Sequence, residues 1–253
     1  TAERMSGTGV SVENIQAILL THLDRDHFNL NWYRTILTQG IRIFCGAARV
    51  REILECAAAC DAEAKLLAKR RCRHTLRELV TTFHANALFE PLQGVTAEAL
   101  ELAHDTTGSH AFVLCCDGYR VGFATDLGHV PEHLIEHFCG ADVVALEANY
   151  DVDMEQNSSR PWLLKQRIMG GKGHLSNEQA LAAIQQILDK TLATHGPDSL
   201  PRHIVLLHRS RECNCPKLLR RLFQRDARIA PVLTLTDQYE RTNWLATRRG
   251  RAQ

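Results

Sequence analysis

The chain has 253 residues, of which 45% are hydrophobic and 23% charged, the composition of an ordinary globular protein with a sizeable core. Its formal net charge of +1 excludes a strong overall attraction to nucleic acid or to an anionic membrane. No apolar run approaches the roughly 20 residues of a membrane span, and the N-terminal residues lack a signal-peptide pattern. We therefore expect no membrane association.

Nine cysteines are an odd number, and several fall in predicted helices and strands rather than in a loop-rich framework. We interpret them as reduced thiols, which places the protein in the cytoplasm. Cys213 and Cys215 have no second Cys or His pair at a suitable spacing, so they do not predict a structural zinc site.

The first part of the chain predicts alternating helices and strands. In order, we expect a helical turn at 12–15, a strand from Ile18, a helix at 31–39 ended by Gly40, a strand at 41–45, a helix at 47–71, and strands at 78–83 and 97–103.

The second part continues this mixture. Asp117-Gly118 joins apolar runs at 111–116 and 119–125 and predicts a hairpin. Further on, we expect a helix at 131–138, a strand at 141–147, a basic glycine-containing loop at 165–174, a helix capped by Ser176 and Gln179 and running to about 192, a strand at 203–208, a helix at 216–225 and a strand at 231–236. The pattern indicates one α/β domain over residues 1–253.

The strand from Ile18 ends in a dense group of potential metal ligands. Residues two apart at a strand end point the same way, so His22 and Asp24 can share one metal ion. Asp26 and His27 follow at once and can serve a second. Core packing alone would not place two imidazoles and two carboxylates at the mouth of a hydrophobic strand.

Three later predicted strands also end near possible ligands, His104, Asp126 and His208. Seven nitrogen and oxygen ligands exceed the need of one tetrahedral metal and suit two metals that share a carboxylate. Since the set contains no Cys, zinc, manganese and iron all stay possible.

These motifs resemble the metallo-β-lactamase superfamily, whose signature is H-x-H-x-D-H followed by a later His, a later Asp and a last His. The resemblance extends to the YycJ/WalJ-like branch, which is related to nucleases. Beyond the first motif, it is carried by His104-Asp105, Ala124-Thr125-Asp126-Leu127-Gly128-His129, Leu146-Glu147-Ala148-Asn149, Gly173-His174-Leu175-Ser176-Asn177 and Val205-Leu206-Leu207-His208.

The resemblance implies a four-layer αββα sandwich with two divalent metal ions, zinc first, at one edge of its sheets. By the family pattern, one metal is held by His22, Asp24 and His104. The other is held by Asp26, His27 and His208, and Asp126 bridges the two. A bridging water would be the nucleophile, oriented or deprotonated by Asp26.

The chain departs from the family pattern in two respects. Asp24 stands where the family has its second histidine, which gives the first site a harder, anionic ligand. The strands that normally precede the first motif are absent, so we expect an incomplete opening sheet. An exposed sheet edge would favour oligomerisation.

The basic loop supplies further candidates. His174 precedes a helix N-terminus, where it can donate a proton to a leaving group or bind phosphate. Arg167, Lys172 and Asn177 are candidate substrate contacts. His129, close to Asp126, is a candidate support for a metal ligand.

Three functions are compatible with these residues. We favour a metal-dependent phosphodiesterase, a nuclease of DNA ends. The alternatives are a hydrolase of small esters, thioesters or lactones on the same site, and a binding scaffold without catalysis.

Overall fold

The computed structural model describes residues 5–24, 27–56, 58 and 74–246. The chain divides into two compact units, residues 1–99 and 100–253. Asp26 and most of the predicted helix at 47–71 lie outside the described residues. None of the described helices is long and apolar enough to cross a membrane. Each described cysteine is a free thiol.

The first unit contains a parallel sheet with the strand order β1-β2-β3. Its elements are a 3-10 turn Val12–Asn14, β1 Ala17–Leu19, a 3-10 turn Leu30–Trp32, α1 Tyr33–Gln39, β2 Arg42–Gly46, a 3-10 turn Ala47–Arg49, a helical segment at 50–56, α2 Leu76–Leu79, β3 Val80–Phe83, β4 Leu88–Leu92 and the start of β5 Val95–Leu102. β4 and β5 pair antiparallel. Gly40 ends α1 with a φ of 69°, a left-handed conformation that favours glycine.

Apolar side chains from these elements form the core of the first unit. Ile36 of α1, Ile43 of β2 and Ile53 are completely buried in one cluster, which Leu20 and Leu79 also join. β1 is only three residues long. It pairs in parallel with β2, with Ile18 opposite Ile43. The first motif therefore follows a short edge strand that is anchored to β2.

The second unit is built on a mixed sheet in which β10, β9, β8, β7 and β6 are neighbours in that order. Its elements are the end of β5, β6 Ser109–Cys116, β7 Tyr119–Ala124, α3 Glu132–Phe138, β8 Val143–Glu147, α4 Val152–Gln156, α5 Trp162–Met169, α6 Asn177–His195, a 3-10 turn Pro197–Ser199, β9 His203–Leu207, α7 Pro216–Phe223, a 3-10 turn Ala230–Val232 and β10 Leu233–Leu235. β7, β8, β9 and β10 run parallel to one another, so their C-terminal ends lie at one edge.

The core of the second unit lies between this sheet and its helices. β8 is buried along its whole length, as expected of a central parallel strand covered on both faces. Val144 and Leu146 join the main cluster, and Val143 and Ala145 join a second one. α6 contributes a buried apolar stripe at helical spacing, which stabilises its packing against α3, α7 and β8.

Several sequence predictions are confirmed within one to three residues. The hairpin between β6 and β7 has Cys116 opposite Tyr119, as the Asp-Gly pair predicts. The capping box of Ser176 and Gln179 starts α6. Two sheets with flanking helices agree with the α/β class.

Other predictions were wrong. Residues 76–79 form α2 because Thr75 and Glu78 make a capping box, and the strand begins only at Val80. β4 was not predicted; it contains Pro91, a residue that is unusual within a strand. The helices α4 and α5 were also not predicted. Arg167, which was expected in a loop, lies on α5.

A polar network at the surface ties the chain after α7 to α6. The carboxylate of Asp226 accepts hydrogen bonds from Arg228 (Nε 3.0 Å, Nη2 2.7 Å) and from Gln185 of α6 (3.2 Å). Arg228 also donates to Asp189 of α6 at 2.6 Å. The hydrogen bonds from Arg228, above all, hold the pKa of Asp226 well below its usual range.

We expect Asp226→Asn to destabilise the protein by about 1–2 kcal/mol at pH 7, because a charge-assisted pair is lost. The pKa of Asp226 is lowered in the folded state. Its contribution to the free energy of unfolding is therefore fully present above the ordinary pKa of about 3.9, and it is lost as pH falls below that value toward the folded-state pKa. The difference between wild type and variant should therefore shrink below about pH 4. Urea unfolding at pH 7 and pH 3 measures it, with exposed Asp198→Asn as control. A difference that stays constant with pH would contradict this account.

Candidate metal centre

Two carboxylates and one imidazole come together at the C-terminal edge of the parallel strands in the second unit. Glu147 is the last residue of β8, and it pairs in register with Leu207 of β9. His208 follows β9 directly, and Asp126 follows β7 by two residues. Because neighbouring parallel strands end at the same edge, these side chains meet there.

The buried carboxylate of Asp126 is the point on which three imidazoles converge. Its Oδ1 lies 3.2 Å from His208 Nδ1, 3.7 Å from His174 Nδ1 and 3.9 Å from His104 Nε2. The sequence predicted Asp126, His104 and His208 as ligands and His174 as a proton donor. The structure of the second unit brings all four together.

Asp126 and His208 both have left-handed backbone conformations, with φ of 56° and 51°. Such conformations are strained for non-glycine residues and persist where surrounding contacts hold them. Ser109 Oγ donates to the Asp126 carbonyl at 2.6 Å, and Asn149 Nδ2 donates to the His208 carbonyl at 2.7 Å. Thr125 Oγ1 also donates to the Asp126 carboxylate at 2.9 Å. Hydrogen bonds to both residues therefore stabilise the orientation of these two side chains.

Glu147 is a member of the site to which the sequence analysis gave no role. It is completely buried, and its Oε1 accepts hydrogen bonds from Nδ1 of His174 (2.8 Å) and Nδ1 of His208 (2.9 Å). Its Oε2 accepts from the Leu127 amide at 3.1 Å. An ionised carboxylate only accepts, so the imidazole protons that face it lie on Nδ1. The available signal was a carboxylate at the end of a fully apolar strand.

These contacts shift the acid–base behaviour of the site. Burial raises the pKa of Glu147, but the hydrogen bonds and charges of His174 and His208 outweigh it, so this pKa is lowered. Burial lowers the pKa of His174, but the hydrogen bond to Glu147 and the charges of Glu147 and Asp126 outweigh it, so this pKa is raised. Both directions favour an ion pair inside the site.

The donor set of this cluster fits a divalent metal ion. Ligand atoms of Asp126, Glu147, His174 and His208 all lie within 4.8 Å of one another. Two buried carboxylates this close to each other repel unless positive charge lies between or beside them. Imidazole nitrogen and carboxylate oxygen are compatible with zinc, manganese and iron.

A glycine-containing turn brings His174 and His104 into this cluster. A Cβ on Gly128 would lie 2.3 Å from the Gly171 backbone, and one on Gly173 would lie 2.1 Å from the Arg167 carbonyl. Only glycine permits backbones to approach this closely. Two carbonyl groups of this turn accept hydrogen bonds from histidine side chains. The Gly173 carbonyl lies 3.0 Å from His104 Nδ1, and the Gly171 carbonyl lies 3.0 Å from His129 Nδ1. His129 thus contacts the turn that carries His174.

In the first unit, the described ligand candidates lie near one another. His22 is buried, with its Nε2 3.9 Å from Asp24 Oδ2, and its ring centroid lies 4.1 Å from that of His27. Thr21 Oγ1 contacts His22 Nδ1 at 3.0 Å. Asp26 lies outside the described residues, so its predicted catalytic and ligand roles stay predictions. The same holds for the allocation of ligands to two metals.

The predicted substrate contacts occupy different environments. Arg167 donates from Nε to Asp105 at 2.9 Å and makes a second contact through Nη2, which lowers the pKa of Asp105. Lys172 is exposed in the turn before His174. Asn177 is buried and hydrogen-bonds Asn214, so its predicted contact with substrate stays a prediction.

The comparison with known families decides the relationship. The family model described as "Beta-lactamase superfamily domain" matches residues 2–195, which include parts of both units. The chain belongs to the beta-lactamase superfamily. This confirms the family resemblance drawn from the strand-end motifs.

Two curated relatives of this chain carry the name exodeoxyribonuclease. YycJ of Bacillus anthracis is 28% identical over 127 residues, 50% of this chain and 44% of the relative. WalJ of Streptococcus pneumoniae is 30% identical over 124 residues, 49% of this chain and 43% of the relative. The matched part is thus less than half the length of either relative.

Solved structures support the fold. The metallo-beta-lactamase fold protein YhfI of Bacillus subtilis superposes with a TM-score of 0.61 at 13% identity, covering 90% of this chain and 78% of that one. At this identity, the likeness concerns the fold alone. The superfamily and the buried cluster together are those of a metal-dependent hydrolase.

Proposed function

We propose that this superfamily member is a metal-dependent phosphodiesterase that acts on DNA, in the manner of an exodeoxyribonuclease. The observation that carries the proposal is the convergence of His104, His174 and His208 on the buried Asp126, next to the fully buried Glu147. The two curated relatives named exodeoxyribonuclease support the choice of DNA among possible phosphodiesters.

In the second unit, Asp126 and His208 of this cluster, with His104 beside Asp126, would hold a divalent metal. When bound, such an ion lowers the pKa of water at the site and neutralises charge on the phosphodiester. Glu147 keeps the His174 and His208 protons on Nδ1, so Nε2 of each ring faces away from the carboxylate.

His174 is the group of this site best suited to donate a proton to the leaving oxygen. Its side chain is 21% exposed, whereas that of Asp126 is 3% exposed. Its raised pKa keeps the ring protonated closer to neutral pH, so Nε2–H is available for donation. Arg167 and Lys172 lie on the segment that leads to His174 and would contact phosphates on either side of the reacting one.

The test combines elemental analysis of purified protein with manganese- and zinc-dependent hydrolysis of bis-(p-nitrophenyl) phosphate. Bound metal with turnover supports the proposal, and 5′-labelled DNA then becomes the next substrate. Metal without phosphodiester turnover, accompanied by hydrolysis of p-nitrophenyl acetate, would favour the small-ester reaction. Absence of both metal and turnover would contradict any hydrolytic role.

The DNA assignment has its own test. In Arg167→Ala/Lys172→Ala, two phosphate contacts are lost, so the slope of log affinity against log salt should fall by about 1.4 for single-stranded DNA. The double variant Lys190→Ala/Arg202→Ala removes equal charge from the C-terminal half of α6 and from the residue just before β9, away from the site, and it should keep the wild-type slope. Equal slopes for all three proteins would exclude these residues as DNA contacts.

A further inference from the structure

Three separate segments supply the reacting groups of the second unit, and each leads to an asparagine. Asn149 follows Glu147 by two residues, Asn177 follows His174 by three, and Asn214 lies in the segment after His208. The side chains of Asn177 and Asn214 are buried, with 1% and 4% exposure. The proposed chemistry does not use any of these amides.

The side chain of Asn214 connects these segments directly. Its Nδ2 donates to the carbonyls of Ala148 (3.1 Å) and Asn149 (2.8 Å), which come immediately after Glu147. The same nitrogen lies 2.8 Å from Asn177 Oδ1, and Asn177 Nδ2 donates back to Asn214 Oδ1 at 3.2 Å. The amides of Asn177 and Asn214 thus form a reciprocal pair, called here the asparagine pair.

Backbone contacts extend the asparagine pair to the third segment. The Asn149 carbonyl also accepts from the Ser210 amide at 2.8 Å, and Asn149 Nδ2 donates to the His208 carbonyl. The backbone N–H of Asn177 donates to the Tyr150 carbonyl at 2.8 Å. The segments after Glu147, His174 and His208 are therefore joined around a single buried side chain.

The positions of these three segments matter for the site because two imidazoles share one carboxylate oxygen. His174 and His208 both hydrogen-bond Glu147 Oε1, at 2.8 and 2.9 Å. A displacement of one segment by about 1 Å would carry one of these contacts beyond hydrogen-bonding distance. The register of β8 and β9 places Glu147 beside Leu207, and the asparagine pair adds a buried side-chain link from both strand ends to the segment after His174.

We propose that Asn214 is a positioning residue that, through its pair with Asn177, holds His174 and His208 on the same oxygen of Glu147. The inference rests on the proposed function only in taking these three side chains as the reacting centre. Asn214 would act through the imidazoles and would not touch the substrate.

The test uses NMR of the metal-free protein, in which the Nδ1–H protons of His174 and His208 should be downfield and slow to exchange. In Asn214→Leu, we expect at least one of these two signals to be lost while the fold is kept. Asn177→Ala, which removes only the paired amide, should have the same effect if Asn214→Leu does not fold. The control Thr191→Val removes a buried acceptor for the Gly140 amide, away from the site, and should keep both signals.

Zinc affinity, measured by competition with a chromophoric chelator, is the second measurement. We expect Asn214→Leu to bind Zn²⁺ about 10–100-fold more weakly than wild type, and Thr191→Val to bind it normally. Both imidazole signals and wild-type zinc affinity in Asn214→Leu would overturn the inference. A wild-type protein that binds no zinc and has no turnover would instead refute the proposed function, and the NMR signals would still decide the role of Asn214.

Discussion

Replacement of Asp126 by alanine is expected to lower metal-dependent phosphodiester hydrolysis by about 10³-fold or more, equivalent to about 4 kcal/mol. The reason is the position of one oxygen, Oδ1, within 3.2–3.9 Å of nitrogen atoms of three histidines. Without this carboxylate, positive charge in the site loses one of its two buried carboxylates, and metal affinity falls together with turnover. Metal content and initial rates at saturating Mn²⁺ measure the two effects.

Two further variants separate chemistry from folding. Asp126→Asn keeps the shape of the side chain and its hydrogen bond from Thr125, so its loss of activity would reflect charge. Asp142→Ala is the matched control, because Asp142 accepts from the Arg120 amide at the opposite end of β8. It should reduce stability and keep the rate. Full activity in Asp126→Ala would exclude every enzymatic function of this site.

The second large effect is expected for Glu147→Gln, with a loss of about 10²–10³-fold in turnover. The amide has nearly the volume of the carboxylate, but only its oxygen can accept. Oε1 and Oε2 of Glu147 together accept from His174, His208 and the Leu127 amide. The glutamine NH₂ must face one of these donors, so the Nδ1 protons are no longer fixed.

The same variant should change how stability depends on pH in the metal-free protein. The pKa of His174 is raised, so its charged form stabilises the fold fully below its ordinary pKa of about 6.5, and this is lost as pH rises through the folded value. The pKa of Glu147 is lowered, so the pair stabilises most between about pH 4.3 and 6.5.

We therefore expect Glu147→Gln to be least stable relative to wild type in that range. The exposed Glu136→Gln, which loses a pair with Lys190, is the control and should show a small effect. Urea unfolding from pH 4 to 8, with chelator present, measures the curve. If the two stability curves ran parallel above pH 6.5, the Glu147–His174 ion pair would be refuted.

Much of the architecture followed from the sequence because it depends on local chemistry. Apolar runs that end in polar residues predicted β7, β8 and β9, and the Asp-Gly pair predicted the hairpin before them. The capping box at Ser176 determined where α6 begins. The amphipathic pattern of α5 is weak, because the large apolar residues Trp162 and Leu163 are exposed. This helix was therefore not predicted.

Patterns in the sequence thus predicted where several strands end and which polar residues follow them, among them Asp126, His104 and His208. Only the tertiary structure showed that Glu147 joins them and that His174 and His208 share one of its oxygens. It also showed the pairing of Asn177 with Asn214, which are 37 residues apart in the chain. The physical reason is that propensity and capping act over a few residues, whereas hydrogen bonds between loops depend on the register of parallel strands and on close backbone contacts such as that at Gly128.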